Sequence, residues 1–340
     1  MKKALSTCLL SATLAFSAAH ASAATTLRLA HFWPSGSAYQ TDLFEAWAKS
    51  VEEASDGELK VNVYPSQTLV KAAKAYEGAV SGIADISAVI QGYSAGRFPL
   101  SEIAQLPGLT SSAEQGSCII QKLYDEGKIS SEYQDTKTLF LFSTGPAYLH
   151  TREREIQIPS DLAGLRMRRP NEVAGELLTQ MGASPVGIPA PEIYPALERG
   201  VVDGLSFPFE AMKGFRINEL TRYHLRIPYT SSIFVLSMNK QAYDRLSPKQ
   251  KEAIDQNSGM QWAMKAADVF AKLDKAGLEE AESLGHVVHS VEDPLNDDKW
   301  SAPLKKGTEH FLKRVEDRGK PQAREIYQRA LDLRSECALS

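Results

Sequence analysis

Apolar and polar positions alternate from Thr26 to Ala30 and again from Leu59 to Tyr64, a period of two that predicts two strands. Between them Leu43, Phe44, Trp47, Ala48 and Val51 recur at helical spacing, so Tyr39 to Glu53 reads as a helix stopped by Ser55-Asp56-Gly57. A second helix, Ala72 to Val80, ends at Gly82 and leads into a strand from Ala84 to Ile90. Strand–helix–strand alternation of this kind predicts an α/β fold with parallel sheets.

The pattern is then repeated. Ala79-Val80-Ser81-Gly82-Ile83-Ala84-Asp85 matches Leu197-Glu198-Arg199-Gly200-Val201-Val202-Asp203: a helix end, a Gly stop, two apolar residues and an Asp before a strand. Each copy follows a strand ending near proline, at Tyr64-Pro65 and Ile188-Pro189, which predicts two similarly built lobes. Further on, Ser247-Pro248-Lys249-Gln250 has the N-cap, first-position proline and capping Gln of a helix start. Helical spacing continues to Gly285, either as one helix of about 50 Å or as two helices broken near Gly277.

Composition adds an address and an upper limit. Lys2 and Lys3, the apolar run Ala4 to Ala19 and Ala21-Ser22-Ala23 read as a secretory signal peptide over residues 1–23. The run is shorter than the roughly 20 residues of a membrane span. Removing two lysines from 38 basic residues leaves 36 against 42 acidic, a formal charge of −6 that argues against nucleic acid or an anionic membrane as partner. A mature chain of this length exceeds one core, again implying two lobes. Cys118 and Cys337 remain; in an oxidising compartment they are either paired or two separate buried thiols.

Motifs of catalysis are missing: no G-x-S-x-G, H-E-x-x-H, P-loop, G-x-G-x-x-G or C-x-x-C occurs, and the histidines lack metal-ligand spacing. Aromatic residues gather instead where strands end: Phe32 and Trp33, with Tyr39 opening the next helix; Gln91 and Tyr93 after Ile90; Phe207 and Phe209 after Asp203. Rings with a few placed polar groups suit a small-ligand site, and equally a core between lobes. Arg168 ends a short predicted strand before Pro170, where open α/β sheets bind ligands. Its fork could hold a carboxylate; the residues alone also allow a solvated surface charge.

The whole mature chain resembles the extracytoplasmic solute-binding proteins of tripartite ATP-independent periplasmic (TRAP) transporters, the family typified by dicarboxylate-binding DctP proteins. The resemblance rests on LRLAHFWP at 27–34, DGELKVNVYPSQTL at 56–69, GIADISAVIQGYSAGRFPL at 82–100, SDLAGLRMRRP at 160–170 and GASPVGIPAPEIYPALERGVVDG at 182–204. It implies a two-lobed clamshell with hinge strands and a long lobe-spanning helix. Residues 24–144 and 234–272 would form the first lobe, and 145–233 and 273–340 the second. It also implies a periplasmic, monomeric receptor without cofactor or metal, delivering a small solute to small and large membrane permease subunits.

Within that resemblance, G-L-x-x-R-x-P puts the family's carboxylate-binding arginine on Arg168. Two family partners are replaced: Phe207 stands where some members have Asn, and Tyr148 lies near the place of a second arginine. A smaller, less polar or monocarboxylic solute is therefore expected, bound by Arg168, Phe207, Trp33, Phe32, Tyr39, Gln91, Tyr93, Tyr148 and Glu210. If Glu210 faces the cleft, a small amine or amino alcohol stays open. An exported enzyme acting on a small organic acid is the other class.

Overall fold

The first strand, β1 (Thr25–Ala30), is flanked in parallel by β2 (Leu59–Tyr64) and β3 (Ile86–Ile90), as the alternation predicts. The structure, a computed structural model, describes residues 24–338; the expected signal peptide lies outside the described residues. The helix expected from Tyr39 begins as a π-helical turn, Tyr39–Glu45, and continues as Ala46–Ala54, with Leu43, Phe44, Trp47 and Val51 buried against the sheet.

The chain leaves this sheet at β4 (Thr136–Ser143) and enters a second one at β5 (Ala147–Thr151). There β6 (Arg166–Arg169) is flanked in parallel by β7 (Ser184–Gly187) and β8 (Gly204–Phe207). The chain returns from β9 (Tyr223–Thr230) to β10 (Ile233–Asn239), and β11 (Val287–Ser290) later joins the second sheet beside β9. The strand orders are β2-β1-β3-β10-β4 and β11-β9-β5-β8-β6-β7. β10 runs antiparallel to β3, and β5 antiparallel to β8, so each lobe is closed by a strand that has crossed from the other.

The repeated Gly-x-x-Asp has one physical role in both copies. Gly82 and Gly200 end their helices at φ +74° and +66°, the left-handed region that suits glycine. The Asp that follows accepts from the backbone and side chain of an arginine on the middle one of three parallel strands. Asp85 Oδ2 takes Arg28 N at 2.9 Å and Nε at 3.0 Å. Asp203 Oδ2 takes Arg166 N at 2.8 Å and Nε at 3.1 Å. Arg28 thus corresponds to Arg166, and Ala30 to Arg168.

The helix after Ser247 breaks, but not at Gly277. It divides into Pro248–Gln256 and Met260–Ser283, because Gly259 turns left-handed at φ +71° and the Asn257 and Ser258 side chains bind the last-turn carbonyls of Ala253 and Ile254. Gly277 stays inside the second helix: a Cβ there would lie 1.9 Å from the Phe209 carbonyl oxygen, so glycine is what lets helix Phe209–Gly214 approach. This 24-residue helix packs on β4 of the first sheet and on Phe209–Gly214 beside the second.

The C-terminal segment divides between the lobes. Helix Ser301–Asp317 packs on Glu172–Gln180 beside the second sheet, whereas Ala323–Glu336 packs on Ala113–Asp125 behind the first. Cys118 and Cys337 are bonded, with Cα atoms 5.8 Å apart across 219 positions of sequence.

Candidate functional site

The carboxyl ends of β1, β3, β6 and β8 converge between the lobes. Phe32 and Trp33 follow β1, Tyr93 follows β3, Arg168 sits near the end of β6, and Phe207 ends β8. Together with Ile90, Pro170, Glu210, Phe215 and Phe234 they line one cavity of about 20 Å³, room for about one water.

Arg168 is its polar centre. The residue is 1% exposed. Nε donates to Ile188 O at 2.7 Å, Nη1 to Ser206 O at 3.0 Å and Nη2 to the Tyr93 hydroxyl at 3.0 Å. A guanidinium has five N–H donors, so two remain unspent. No carboxylate among the described residues pairs with it, and burial pulls its pKa below the ordinary value. Phe207 presents an aromatic face to it, with the ring centroid 5.2 Å from Cζ. Tyr93 adds a donor. Its oxygen accepts from Arg168 and from Ala190 N at 2.7 Å, which leaves its own proton free, and burial keeps that proton on.

The remaining walls are rings. Phe32 stacks on Trp33 with centroids 4.1 Å apart, and Phe234 and Phe215 lie 6.4 Å from Phe32 on other sides. By the correspondence of the lobes, the charge comes from the second lobe at a position where the first has Ala30, and most of the rings come from the first.

Six of the nine expected ligand-binding residues line this cavity: Arg168, Phe207, Trp33, Phe32, Tyr93 and Glu210. Three do not. Tyr39 stands behind Trp33, centroids 5.3 Å apart, and its hydroxyl donates to Glu210 O at 2.9 Å across the lobes. Gln91 turns into the first lobe and donates to the Tyr133 hydroxyl, because the chain makes a tight turn after β3 that sends Gln91 and Tyr93 opposite ways. Tyr148 pairs with Phe207 across β5 and β8, but its ring lies under Arg226 and against Phe209. Phe215 and Phe234 were missed; Phe234 opens a crossover strand, a place that local periodicity does not mark.

Glu210 is 4% exposed. Its backbone N–H donates to Asp274 Oδ1 at 3.0 Å, and its side-chain Oε2 is buried without a partner. Burial, with the Asp274 charge second, pushes its carboxyl well above the usual carboxylate range.

Behind Phe207 three histidines that look scattered in sequence form one chain. A carbonyl only accepts, so His150 Nε2 donates to Phe207 O at 2.9 Å. Neutral His150 then accepts at Nδ1 from His224 Nδ1 at 2.7 Å, and His224 Nε2 accepts from His286 Nδ1 at 2.9 Å. His286 Nε2 accepts from Arg222 at 3.2 Å. Burial lowers His150 to about 4, and burial with its charged neighbours lowers His224 to about 2.

A larger cavity, about 220 Å³, lies at the opposite strand ends among Arg152, Arg154, Leu165 and Asp203. Arg152 donates there to Leu197 O and Arg154 to Asp161 O and Ala163 O. Arg154 is exposed and Glu153 and Asp203 line the same cavity, so its cations meet water and acids where Arg168 meets neither.

The family described as bacterial extracellular solute-binding protein, family 7 (DctP), matches residues 29–314. A marine-metagenome TRAP solute-binding protein specific for aromatic acid ligands, crystallised with 3-hydroxybenzoate, is 31% identical with a TM-score of 0.85, over 94% of this chain and 100% of that one. A TRAP solute-binding protein from Rhodoferax ferrireducens T118, with copurified benzoate, is 29% identical with a TM-score of 0.84, over 92% and 98%. The 2,3-diketo-L-gulonate-binding periplasmic protein of Escherichia coli K12 is 26% identical over 63% of this chain and 67% of that protein.

Proposed function

The chain belongs to family 7 of the bacterial extracellular solute-binding proteins, and we propose that it is the TRAP receptor for a small aromatic monocarboxylate, held in the interlobe cavity by Arg168. One observation carries the reading: a fully buried guanidinium with no counter-anion, two spare donors and rings around it. A buried charge without a partner is costly, and a ligand carboxylate supplies the missing one. The spare N–H groups and the Tyr93 proton give three donors for two carboxylate oxygens. They replace the Asn and the second arginine found in other members. The neighbours that bind 3-hydroxybenzoate and benzoate agree in ligand class.

An amine fits less well. It would leave Arg168 uncompensated and meet a Glu210 carboxyl whose charged form burial disfavours. Export through the segment before Ala24 and delivery to small and large permease subunits belong to the same proposal.

The test is a thermal-shift panel of benzoate, acetate, succinate and benzylamine, with recovery of the ligand afterwards. A ligand at a hundred times its Kd adds about 2.7 kcal/mol of stability. Benzoate alone should shift Tm and be recovered unchanged. A shift by benzylamine but not benzoate overturns the reading, and turnover of the ligand would favour an enzyme.

A further inference from the structure

If Arg168 fixes the carboxylate, as proposed above, the cavity holds one acidic side chain still to be accounted for. Glu210 is immobilised from both sides of its peptide: N–H to Asp274 Oδ1 at 3.0 Å, and C=O from the Tyr39 hydroxyl at 2.9 Å. The residue lines the cavity, and its buried side-chain Oε2 has no partner among the described residues. Buried polar atoms are nearly always satisfied, so an orphan facing a ligand cavity points to a polar group on the ligand.

The polarity of that group follows from the neighbouring acid. Asp274, on the long helix, accepts from the backbone N–H groups of Phe209 and Glu210 at the start of the Phe209–Gly214 helix. Those bonds favour the Asp274 anion, and Arg226 also acts on it. Two adjoining buried carboxyls do not both ionise; the one without hydrogen bonds keeps its proton. Glu210 is therefore a carboxylic acid, with one O–H donor and one carbonyl acceptor. A hydroxyl, itself donor and acceptor, satisfies both oxygens, whereas an ammonium has nothing to accept with.

We propose that Glu210 is a specificity-determining residue: as a neutral acid it pairs with a hydroxyl on the ring of the bound carboxylate, so the receptor prefers hydroxylated over plain aromatic monocarboxylates. A site built to hydrogen-bond a hydroxyl rejects the analogue lacking it, because the site's own polar atoms are then left unpaired.

The experiment is calorimetric titration of the full chain with benzoate, the three monohydroxybenzoates and 3-(aminomethyl)benzoate. It is run on wild type, Glu210→Gln and Glu210→Met, with unliganded Tm as the check of folding. At least one hydroxybenzoate should bind wild type ten-fold or more tighter than benzoate. Glu210→Gln, which keeps a neutral donor and acceptor, should hold most of that ratio, and Glu210→Met should bring it to about one. Equal wild-type affinity for benzoate and all three hydroxy acids overturns this inference alone, whatever the variants do. The same holds if Glu210→Met keeps the ratio, or if the ammonium ligand binds tightest. Failure of every aromatic acid to bind wild type overturns the aromatic-carboxylate reading and this inference with it.

Discussion

Replacing Arg168 by methionine separates binding from folding, because the side chain carries both an asset and a liability. In the unliganded protein its three hydrogen bonds, to Ile188 O, Ser206 O and the Tyr93 hydroxyl, are set against the burial of an uncompensated charge. An apolar chain of similar length removes the uncompensated charge but deprives the Ile188 and Ser206 carbonyls of this donor, so the two effects oppose each other in the unliganded protein. The two spare N–H groups act only when the carboxylate is present. Hydrogen bonds to charged groups contribute about 1.5–3 kcal/mol each, so losing two costs about 3–6 kcal/mol, or about 10²- to 10⁴-fold in Kd. Arg168→Lys keeps the charge but not the fork and should fall between wild type and Arg168→Met. Calorimetry with benzoate gives the affinities, and differential scanning calorimetry gives the unliganded Tm. An affinity for Arg168→Met within three-fold of wild type would refute the clamp. A large fall in unliganded Tm would show that the arginine is structural first.

Three further outcomes are expected. Gly92 lies against the other lobe, where a Cβ would sit 2.4 Å from Pro170 O; Gly92→Ala should hold the lobes apart, weaken benzoate binding at least ten-fold and abolish ligand-induced compaction in small-angle scattering. Reducing Cys118–Cys337, which spans 219 positions, should remove about 2–5 kcal/mol of stability, seen as a lower urea midpoint, and leave the cavity residues in place. In nitrogen-15 spectra His150 and His224 should stay neutral from pH 7.5 to 5, as the Nε2–H and Nδ1–H tautomers respectively, since their folded values of about 4 and about 2 lie below the ordinary 6.5. The sign follows: the stability these two histidines supply is complete above pH 6.5 and is lost as pH falls toward 4. Asp274, raised to about 6, contributes oppositely, its share being lost as pH rises through 6.

What the chain showed in advance follows the range of the forces involved. β1, β2 and the Gly-stopped helices depend on neighbours in sequence, so alternation and glycine mark them. The repeated Gly-x-x-Asp also told of two lobes, although its arginine partners, Arg28 and Arg166, lie 57 and 37 positions from their aspartates. Arg168 stood out through the G-L-x-x-R-x-P resemblance, because its strand-end position by itself also fits a solvated surface charge. Gln91 does not reach the cavity because two positions along a tight turn are enough to send its side chain the opposite way from that of Tyr93. The break at Gly259 rather than Gly277 was equally hidden. Both glycines interrupt the same helical spacing, and only the approach of the Phe209 carbonyl shows that one of them is a packing glycine. The histidine chain joins positions 150, 224 and 286 through strand pairing alone, and no motif could announce it.

If the cavity binds as proposed, the division of labour between lobes would make binding and closure a single event. The fork stands on β6 of the second lobe, and Phe32, Trp33, Tyr93 and Phe234 stand on the first. With the lobes together, about 20 Å³ is left, far less than the roughly 300 Å³ and more of ordinary ligand sites. An aromatic acid must therefore enter with the lobes apart, when the Arg168–Tyr93 and Tyr39–Glu210 bonds across the cleft are broken. A ligand favours the closed arrangement only by the difference in its free energy between the two states. Acetate could answer the charge of Arg168 and reach the Tyr93 hydroxyl of the first lobe but leave the rings of Phe32, Trp33 and Phe234 uncovered, and a ring without a carboxylate could rest on those rings while leaving the buried cation bare. A molecule that carries both groups gains the most on closing, because it adds contact with the first-lobe rings to the carboxylate's own bonds. On the proposed reading, selectivity for an aromatic carboxylate would arise less from either wall than from the requirement that one solute hold the two together.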